Sequence, residues 1–131
     1  ARKAVEYVRQ HVAYAEKLGK PITLEEFGIP RDGHTYARAA AVTWRNRYYT
    51  LLFEQMYKSA KAGSPMAGSN FWGWGGEGKA RDLQTFTWQK GDDYTGDPPQ
   101  EPQGRNSVFS SDKSTIKILR KYAKKMAALG R

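Results

Sequence analysis

The sequence predicts an α/β fold assembled from parallel strand–helix–strand units. Two short apolar segments, Ile22 to Phe27 and Met66 to Trp74, alternate along the chain with segments of helical periodicity. Strands separated by helices are typical of parallel sheets that are covered on both faces. Two strands are too few for such a sheet, so we expect the 131 residues to form part of a larger α/β structure.

The first helix is predicted from Ala1 to Leu18. Apolar residues recur there at steps of three and four, which places them on one helical face. These residues are Val5, Val8, Val12, Ala15 and Leu18. Gly19 and Pro21 end the helix, because Gly accepts a left-handed cap and Pro does not continue a helix.

The first strand is predicted from Ile22 to Phe27. Because side chains alternate across a strand, Glu26 would share the face of Ile22 and Leu24. Glu25 and Phe27 would share the opposite face, and Glu25 would point to the helix layer, where a structural salt bridge would suit it. A charge at the end of an apolar strand is costly unless solvent, a partner or chemistry compensates it. Glu26 is therefore a candidate functional residue, and an acid paired with an arginine or with backbone donors is the alternative.

A second helix is predicted from Thr35 to Ala62, and Gly63 to Pro65 close it. The second strand is predicted from Met66 to Trp74, with Trp72 and Trp74 on one face. Aromatic planes match the apolar C–H faces of pyranose rings, so both tryptophans are candidates for sugar binding. Packing in a core is the alternative for each of them.

No sustained periodicity is visible from Gly75 to Lys113. Structureless loops longer than about 12–15 residues tend to be functional or disordered. Aromatic residues inside the segment favour an ordered loop that lines a cleft, in which Trp88 is a weaker sugar-binding candidate. A third helix is expected to begin at a cap formed by Asp112 or Ser114 and to end at Gly130.

The net charge of +9 suits a nucleic-acid partner, but its distribution does not. Acidic residues outnumber basic ones between Gly75 and Lys113, and most of the positive charge falls on helical segments with solvated faces. No apolar run approaches the roughly 20 residues of a membrane-spanning helix. We therefore expect neither a nucleic acid nor a membrane as partner.

Cofactors and metals are not expected either. Cysteine is absent, which excludes disulfides and thiolate ligands. Asp92, Asp93 and Asp97 match no calcium-binding loop, and His11 and His34 lack companion residues for a metal or nucleophilic site.

Three segments, taken together, resemble glycoside hydrolase family 5, specifically its bacterial endo-β-1,4-mannanases. They are Leu24 to Gly28, Asn70 to Gly76, and Gly104 to Ile116. The resemblance implies that residues 1–131 are the C-terminal portion of a (β/α)₈ TIM barrel, with the two predicted strands as its seventh and eighth. It also implies a catalytic nucleophile at Glu26 and a sugar platform at Trp72.

The family's acid/base residue lies in an Asn-Glu pair on the fourth strand, and this sequence contains no Asn-Glu dipeptide. The expectation is therefore an incomplete domain, completed by the N-terminal half of the barrel. The intact barrel would be a retaining endo-β-1,4-mannanase that hydrolyses β-mannan, and this chain alone would be inactive. The resemblance also implies a secreted or periplasmic location.

Two alternatives remain open. An inactive fragment would keep a sugar-stacking surface and bind carbohydrate, or it would associate with itself through exposed sheet edges. The preference for mannan over glucan also stays open, because its determinants lie partly on the absent strands.

Overall fold

The computed structural model describes residues 2–81 and 87–130. Within those residues the main elements follow the predicted alternation of helices and strands. In chain order they are α1 (Arg2–Leu18), β1 (Ile22–Phe27), α2 (Thr43–Lys61), β2 (Met66–Phe71), β3 (Trp74–Gly76), β4 (Val108–Phe109) and α3 (Lys113–Ala127). β1 pairs with β2, and β3 pairs with β4, both in parallel. The predicted α/β order with parallel strands is confirmed.

The hydrophobic core lies between the β1–β2 pair and the three helices. Val8 and Val12 of α1 are buried, which confirms the predicted apolar stripe, although Leu18 at its end is 72% exposed. The other core residues are Phe27, Tyr49, Leu52, Phe53, Met56, Ala60, Met66, Val108 and Tyr122. None of the described helices is both long and apolar enough to cross a bilayer.

Helix α2 begins eight residues later than the sequence pattern predicts. The carboxylate of Asp32 accepts the backbone N–H groups of Thr43, at 3.0 Å, and Trp44, at 3.1 Å, and so caps the helix from a distant position. The side chain of Arg31 donates to the carbonyl of Ala40 at 3.0 Å. These contacts hold the alanine-rich residues 35–42 as a loop, although alanine favours helix.

We expect the Asp32 cap to make stability depend on pH. The amide of Trp44, followed by Thr43, lowers the pKa of Asp32 below its ordinary 3.8. The unfolded chain therefore takes up this proton at higher pH, so the stabilisation is complete above the unfolded pKa and is lost as pH falls through the folded one. Denaturation midpoints of the chain and of Asp32→Ala should differ at about pH 6 and converge towards about pH 2.

The matched control for this cap is Glu101→Ala, because Glu101 is exposed. Its midpoint should track that of the unchanged chain at every pH. A difference between Asp32→Ala and the unchanged chain that stays constant across the titration would contradict the assignment.

The second strand is shorter than predicted, and Trp74 does not belong to it. β2 ends at Phe71, and Trp74 begins β3, which pairs with β4 in a separate sheet. The prediction that Trp72 and Trp74 share one strand face is therefore wrong. Glycines at positions 75 and 96 allow the backbone of residues 95–96 to pack tightly against residues 74–75. Trp74 is therefore packed against the long loop and does not continue β2.

Asp112 precedes α3 as expected, but its side chain does not cap the helix. Both of its carboxylate oxygens accept from Nη2 of Arg31 at 2.8 Å, and Oδ2 also lies 3.4 Å from Nη1 of Arg45. Arg45 donates in addition to the carbonyls of Ile29 and Ser107. This buried cluster of Arg31, Arg45 and Asp112 ties the loop after β1 to the start of α3.

Candidate active site

The ends of β1 and β2 lie side by side. The N–H of Trp72 donates to the carbonyl oxygen of Phe27 at 2.8 Å. Gly28 fits here because a Cβ at this position would collide with the carbonyl oxygen of Trp72. The Glu26-Phe27-Gly28 segment therefore packs directly against Trp72, the first residue after β2.

Glu26 lies at a bulge, which changes the side-chain order that simple alternation predicts. The register shifts between Glu25 and Phe27, and Glu26 adopts a φ of 56°. Phe27 consequently packs in the core on the side of Leu24. The prediction that Phe27 and Leu24 face opposite ways is wrong.

The predicted helix-facing position of Glu25 is also wrong. Its Oε1 accepts hydrogen bonds from Thr23 Oγ1 and Asn70 Nδ2, both at 3.2 Å. These three polar residues are exposed and form a polar cluster across β1 and β2. Glu25 therefore has polar partners on the strands instead of a salt bridge to the helices.

The carboxylate of Glu26 is exposed and forms no ion pair or side-chain hydrogen bond with any described residue. Glu26 borders a depression of about 440 Å³ along the free edge of β1, between α1 and α2. The alternative interpretation, an acid neutralised by a nearby arginine or by backbone donors, finds no partner within residues 2–81 and 87–130. The Glu26 carboxylate is therefore exposed and without a partner among the described residues.

Trp72 is half-buried, and its indole is oriented by Asp97. Nε1 of Trp72 donates to Oδ1 of Asp97 at 3.3 Å. Oδ2 of the same carboxylate accepts from the N–H of Gly104 at 2.7 Å and from Oγ of Ser107 at 3.0 Å. Asp97 therefore connects the indole at the strand end to the long loop.

Trp74 and Trp88 occupy different surroundings. Trp74 lies on β3 and is 53% exposed, so it is not a core tryptophan. Trp88 lies in the long loop, where its backbone N–H donates to the carbonyl of Pro99 and Nε1 donates to the carbonyl of Asp92. The structure thus brings Glu26 and Trp72 to neighbouring strand ends, with Trp74 on the adjoining strand and Trp88 on the loop.

The acidic residues of the loop are engaged separately. Asp92 pairs with Arg81 at 3.0 Å, and Asp93 accepts the N–H of Lys79 at 3.1 Å. Among the described residues, no three His, Asp or Glu side chains gather in a way that would hold a metal ion. His11 stacks on Tyr7 with 3.9 Å between ring centroids, in a surface position on α1.

Asp97 orients Trp72, although its sequence context suggested no role beyond a cation ligand, which its spacing from Asp92 and Asp93 does not support. Its contacts join positions 25 residues apart, so no local pattern indicates them. The cue available in the sequence is its place in the Gly96-Asp97-Pro98 turn, since Asp commonly binds backbone groups in turns.

We predict that Asp97→Ala destabilises the chain by about 1–3 kcal/mol, because three donors lose an acceptor in a partly buried site. Urea denaturation monitored by tryptophan fluorescence would measure the change. Asp93→Ala is the matched control, since Asp93 is exposed and accepts one backbone N–H. That control should stay within about 0.5 kcal/mol of the unchanged chain. Equal midpoints for Asp97→Ala and the unchanged chain would contradict the prediction.

A family model described as GH family 5 beta-mannosidase-like matches residues 1–131. The chain belongs to this glycoside hydrolase family. It is 30% identical over 126 residues to putative mannan endo-1,4-beta-mannosidase 4 from Arabidopsis thaliana, covering 95% of this chain and 25% of that protein. The predicted family is confirmed.

Solved family 5 mannosidases match nearly all of this chain. The Rhizomucor miehei enzyme is similar with a TM-score of 0.84 and 29% identity, over 98% of this chain and 32% of that one. A glutamate-to-alanine variant of it, in complex with mannosyl-fructose, matches with a TM-score of 0.83, 29% identity and the same coverage. The chain is therefore part of a (β/α)₈ barrel and spans about a third of the solved enzyme. The bacterial subgroup stays a prediction.

Proposed function

We propose that this chain is the C-terminal portion of a retaining endo-β-1,4-mannanase barrel, in which Glu26 is the nucleophile. The observation that carries the proposal is the carboxylate of Glu26, which has no partner among the residues that the structure describes and lies at a bulged strand end, beside the strand that leads to Trp72. Carboxyl ends of barrel strands are where such enzymes place their reacting groups. Membership of a mannosidase family supports the sugar class.

In the proposed reaction, an oxygen of Glu26 attacks the anomeric carbon of a mannosyl unit. The bond to the leaving oxygen breaks, an acid protonates that oxygen, and a glycosyl ester forms on Glu26. Water then cleaves the ester and restores the original anomeric configuration. The acid requires a second carboxyl group about 5–5.5 Å from the nucleophile, which we assign to the N-terminal half of the barrel.

The tryptophans would hold the polysaccharide. Trp72, with its indole oriented by Asp97, is the proposed platform for a sugar ring next to Glu26. Trp74 offers a further exposed aromatic surface, and Trp88 is the weaker candidate, for a more distant sugar unit. The proposed substrate is β-mannan, which agrees with the name of the relative from Arabidopsis thaliana, a putative mannan endo-1,4-beta-mannosidase.

The partner of this chain would be the other half of the barrel. An apolar cavity of about 300 Å³ lies between β2, α2 and α3, and Phe53, Leu119 and Met126 are among the residues that line it. Within the described residues, β1 and β2 pair only with each other, so each has a free edge. Further barrel strands and helices would cover both features. We also retain the secreted or periplasmic location as part of the proposal.

The test compares the 131-residue chain with the longest polypeptide encoded in frame with it. Reducing ends released from mannan and glucan measure activity, and the anomeric configuration of early products reports retention or inversion. We expect mannan hydrolysis with retention by the longer polypeptide and none by the short chain, because general acid assistance alone is worth about 10²–10⁴-fold. Robust turnover by the short chain, or inverted products, would refute the proposal.

Carbohydrate binding without catalysis is the second candidate function, favoured by the 53% exposure of Trp74. It predicts that mannooligosaccharides alter tryptophan fluorescence of the short chain although no product forms. Light scattering on the same sample examines self-association through the free edges of β1 and β2. An unchanged spectrum and a monomeric mass would remove both possibilities.

A further inference from the structure

Tyr94 presents one aromatic face to solvent and the other to Trp88. Its ring stacks on the indole with centroids 5.5 Å apart and an interplanar angle of 11°. The residue is nevertheless 80% exposed, the highest value among the exposed large hydrophobic residues that the structure describes. Because the Tyr94 ring lies nearly parallel to the Trp88 indole, its solvent-facing side forms a flat apolar surface about as large as a sugar ring.

The stack is held firmly from behind. Trp88 is fixed by its indole N–H on the carbonyl of Asp92, at 3.0 Å, and by its backbone N–H on Pro99. Asp92 is fixed in turn by Arg81 and by the N–H of Gln89. At Gly78 a Cβ would collide with the carbonyl oxygen of Tyr94, so the backbone beneath the ring is closely packed as well. Little ordering would be needed on binding, which favours affinity.

Tyr94 and Trp72 lie along one edge of the candidate site, which is formed by residues 94–97 and the chain segments that they contact. Along residues 94–97, the carbonyl of Thr95 packs on Gly75, Gly96 packs on Trp74, and Asp97 binds the indole of Trp72. Three residues span at most about 11 Å of chain, so the backbone of Tyr94 lies within that distance of Asp97. A polymer that stacks on Trp72 and follows this edge would reach Tyr94.

The charges near the Tyr94–Trp88 stack indicate whether a charged or a neutral polymer would bind there. The loop around the stack carries Asp92, Asp93 and Asp97. Asp92 is paired with Arg81, and Lys79 and Lys90 lie in the same loop, so the charges around the stack are nearly balanced. A surface of this kind gives a phosphate or uronate chain no strong attraction and suits a neutral chain. Apolar C–H faces of neutral pyranose rings match the open face of Tyr94.

We propose that Tyr94, backed by Trp88, is a stacking platform for a pyranose ring of a neutral polysaccharide, beyond the unit held at Trp72. The inference rests on the proposed function and extends it to longer substrates. It assigns the sugar contact to Tyr94, because Tyr94 already covers one face of the Trp88 indole. Trp88 is then a positioning residue that keeps the platform flat.

The test measures binding of mannobiose and mannohexaose by calorimetry to the longest polypeptide encoded in frame with this chain, in a Glu26→Gln background so that the ligand is not cleaved. Tyr94→Ala should weaken mannohexaose binding about 3- to 10-fold and leave mannobiose binding unchanged, since only the long ligand reaches the platform. Tyr94→Phe keeps the ring and should bind both like the unchanged protein. Tyr14→Ala, at an exposed tyrosine of α1, is the matched control.

A second measurement needs no variant that perturbs the fold. Titration of the Glu26→Gln protein, in which Tyr94 is unchanged, with mannohexaose should shift the ring resonances of Tyr94, whereas mannobiose should not. Equal mannohexaose affinity for Tyr94→Ala and the unchanged protein, or unshifted ring resonances, would overturn the inference. If Tyr94 proved to have no role in binding but Glu26→Gln lost hydrolysis, the proposed function would still stand. If Glu26→Gln retained hydrolysis while Tyr94→Ala weakened mannohexaose binding, the assignment of the nucleophile would be refuted and the platform would stand.

Discussion

Replacing Glu26 with Gln in the longest polypeptide encoded in frame with this chain is expected to lower kcat on mannan by roughly 10³-fold or more. The amide keeps the size of the side chain but is not a nucleophile, so no glycosyl ester forms. Binding of mannooligosaccharides should persist, because Glu26 belongs to the proposed chemical step and not to the aromatic platforms. Initial rates of reducing-end release, together with calorimetric affinities, separate the two effects.

Glu25→Gln is the matched control, since Glu25 is the preceding residue and its Oε1 accepts from Thr23 and Asn70. An amide oxygen preserves those two bonds, so activity should change by less than about tenfold. If Glu25→Gln were inactive while Glu26→Gln remained active, the nucleophile would be assigned to Glu25 instead of Glu26.

Glu26→Gly adds a test that separates catalysis from folding. Glu26 has a φ of 56°, a conformation that Gly adopts without steric cost. The Gly variant should therefore be inactive yet no less stable than the unchanged protein in urea. Azide should restore cleavage by attacking in place of the carboxylate and leave a mannosyl azide of inverted configuration. Failure of azide to form that adduct would count against a nucleophilic Glu26.

Local patterns sufficed for the regular parts of the fold. β1 runs from Ile22 to Phe27 as predicted, because apolar residues bounded by Pro21 and Gly28 define it within the sequence itself. The failures occurred where distant contacts decide the backbone. Alternation placed Phe27 opposite Leu24 and on the face of Glu25, whereas the bulge at Glu26 separates Phe27 from Glu25 and lets it pack with Leu24 against the core, on Tyr49.

Distant side-chain contacts also decided where helices begin. The carboxylate of Asp32 starts α2 from 11 residues away, so helical periodicity could not locate that end. Asp112 or Ser114 was predicted to cap α3, but two arginines far away in sequence engage the carboxylate of Asp112 instead. The candidate site was accessible to sequence reasoning at Glu26 and Trp72, where a resemblance exists, and not at Asp97 or Tyr94.

The second large effect is expected from Asp112→Ala, which should destabilise the chain by about 3–5 kcal/mol. Side chains of Arg31 and Arg45 are 1% and 0% exposed, and Asp112 is the only acid that forms an ion pair with either among the described residues. Without it, two buried cations repel each other, and burial already lowers the pKa of Arg45. Urea denaturation of the 131-residue chain, with the midpoint and the slope recorded, measures the loss.

The cost arises from uncompensated charge, which a second variant can demonstrate. Changing Arg31 and Arg45 to Met together with Asp112→Leu removes all three charges, and apolar replacements of a buried ionic cluster are often neutral or stabilising. This triple variant should regain most of the stability lost in Asp112→Ala. Glu101→Ala, at an exposed acid, should remain within about 0.5 kcal/mol of the unchanged chain. If the triple variant were no more stable than Asp112→Ala, the cluster would stabilise through its bonds to the Ile29 and Ser107 carbonyls, and not through charge balance.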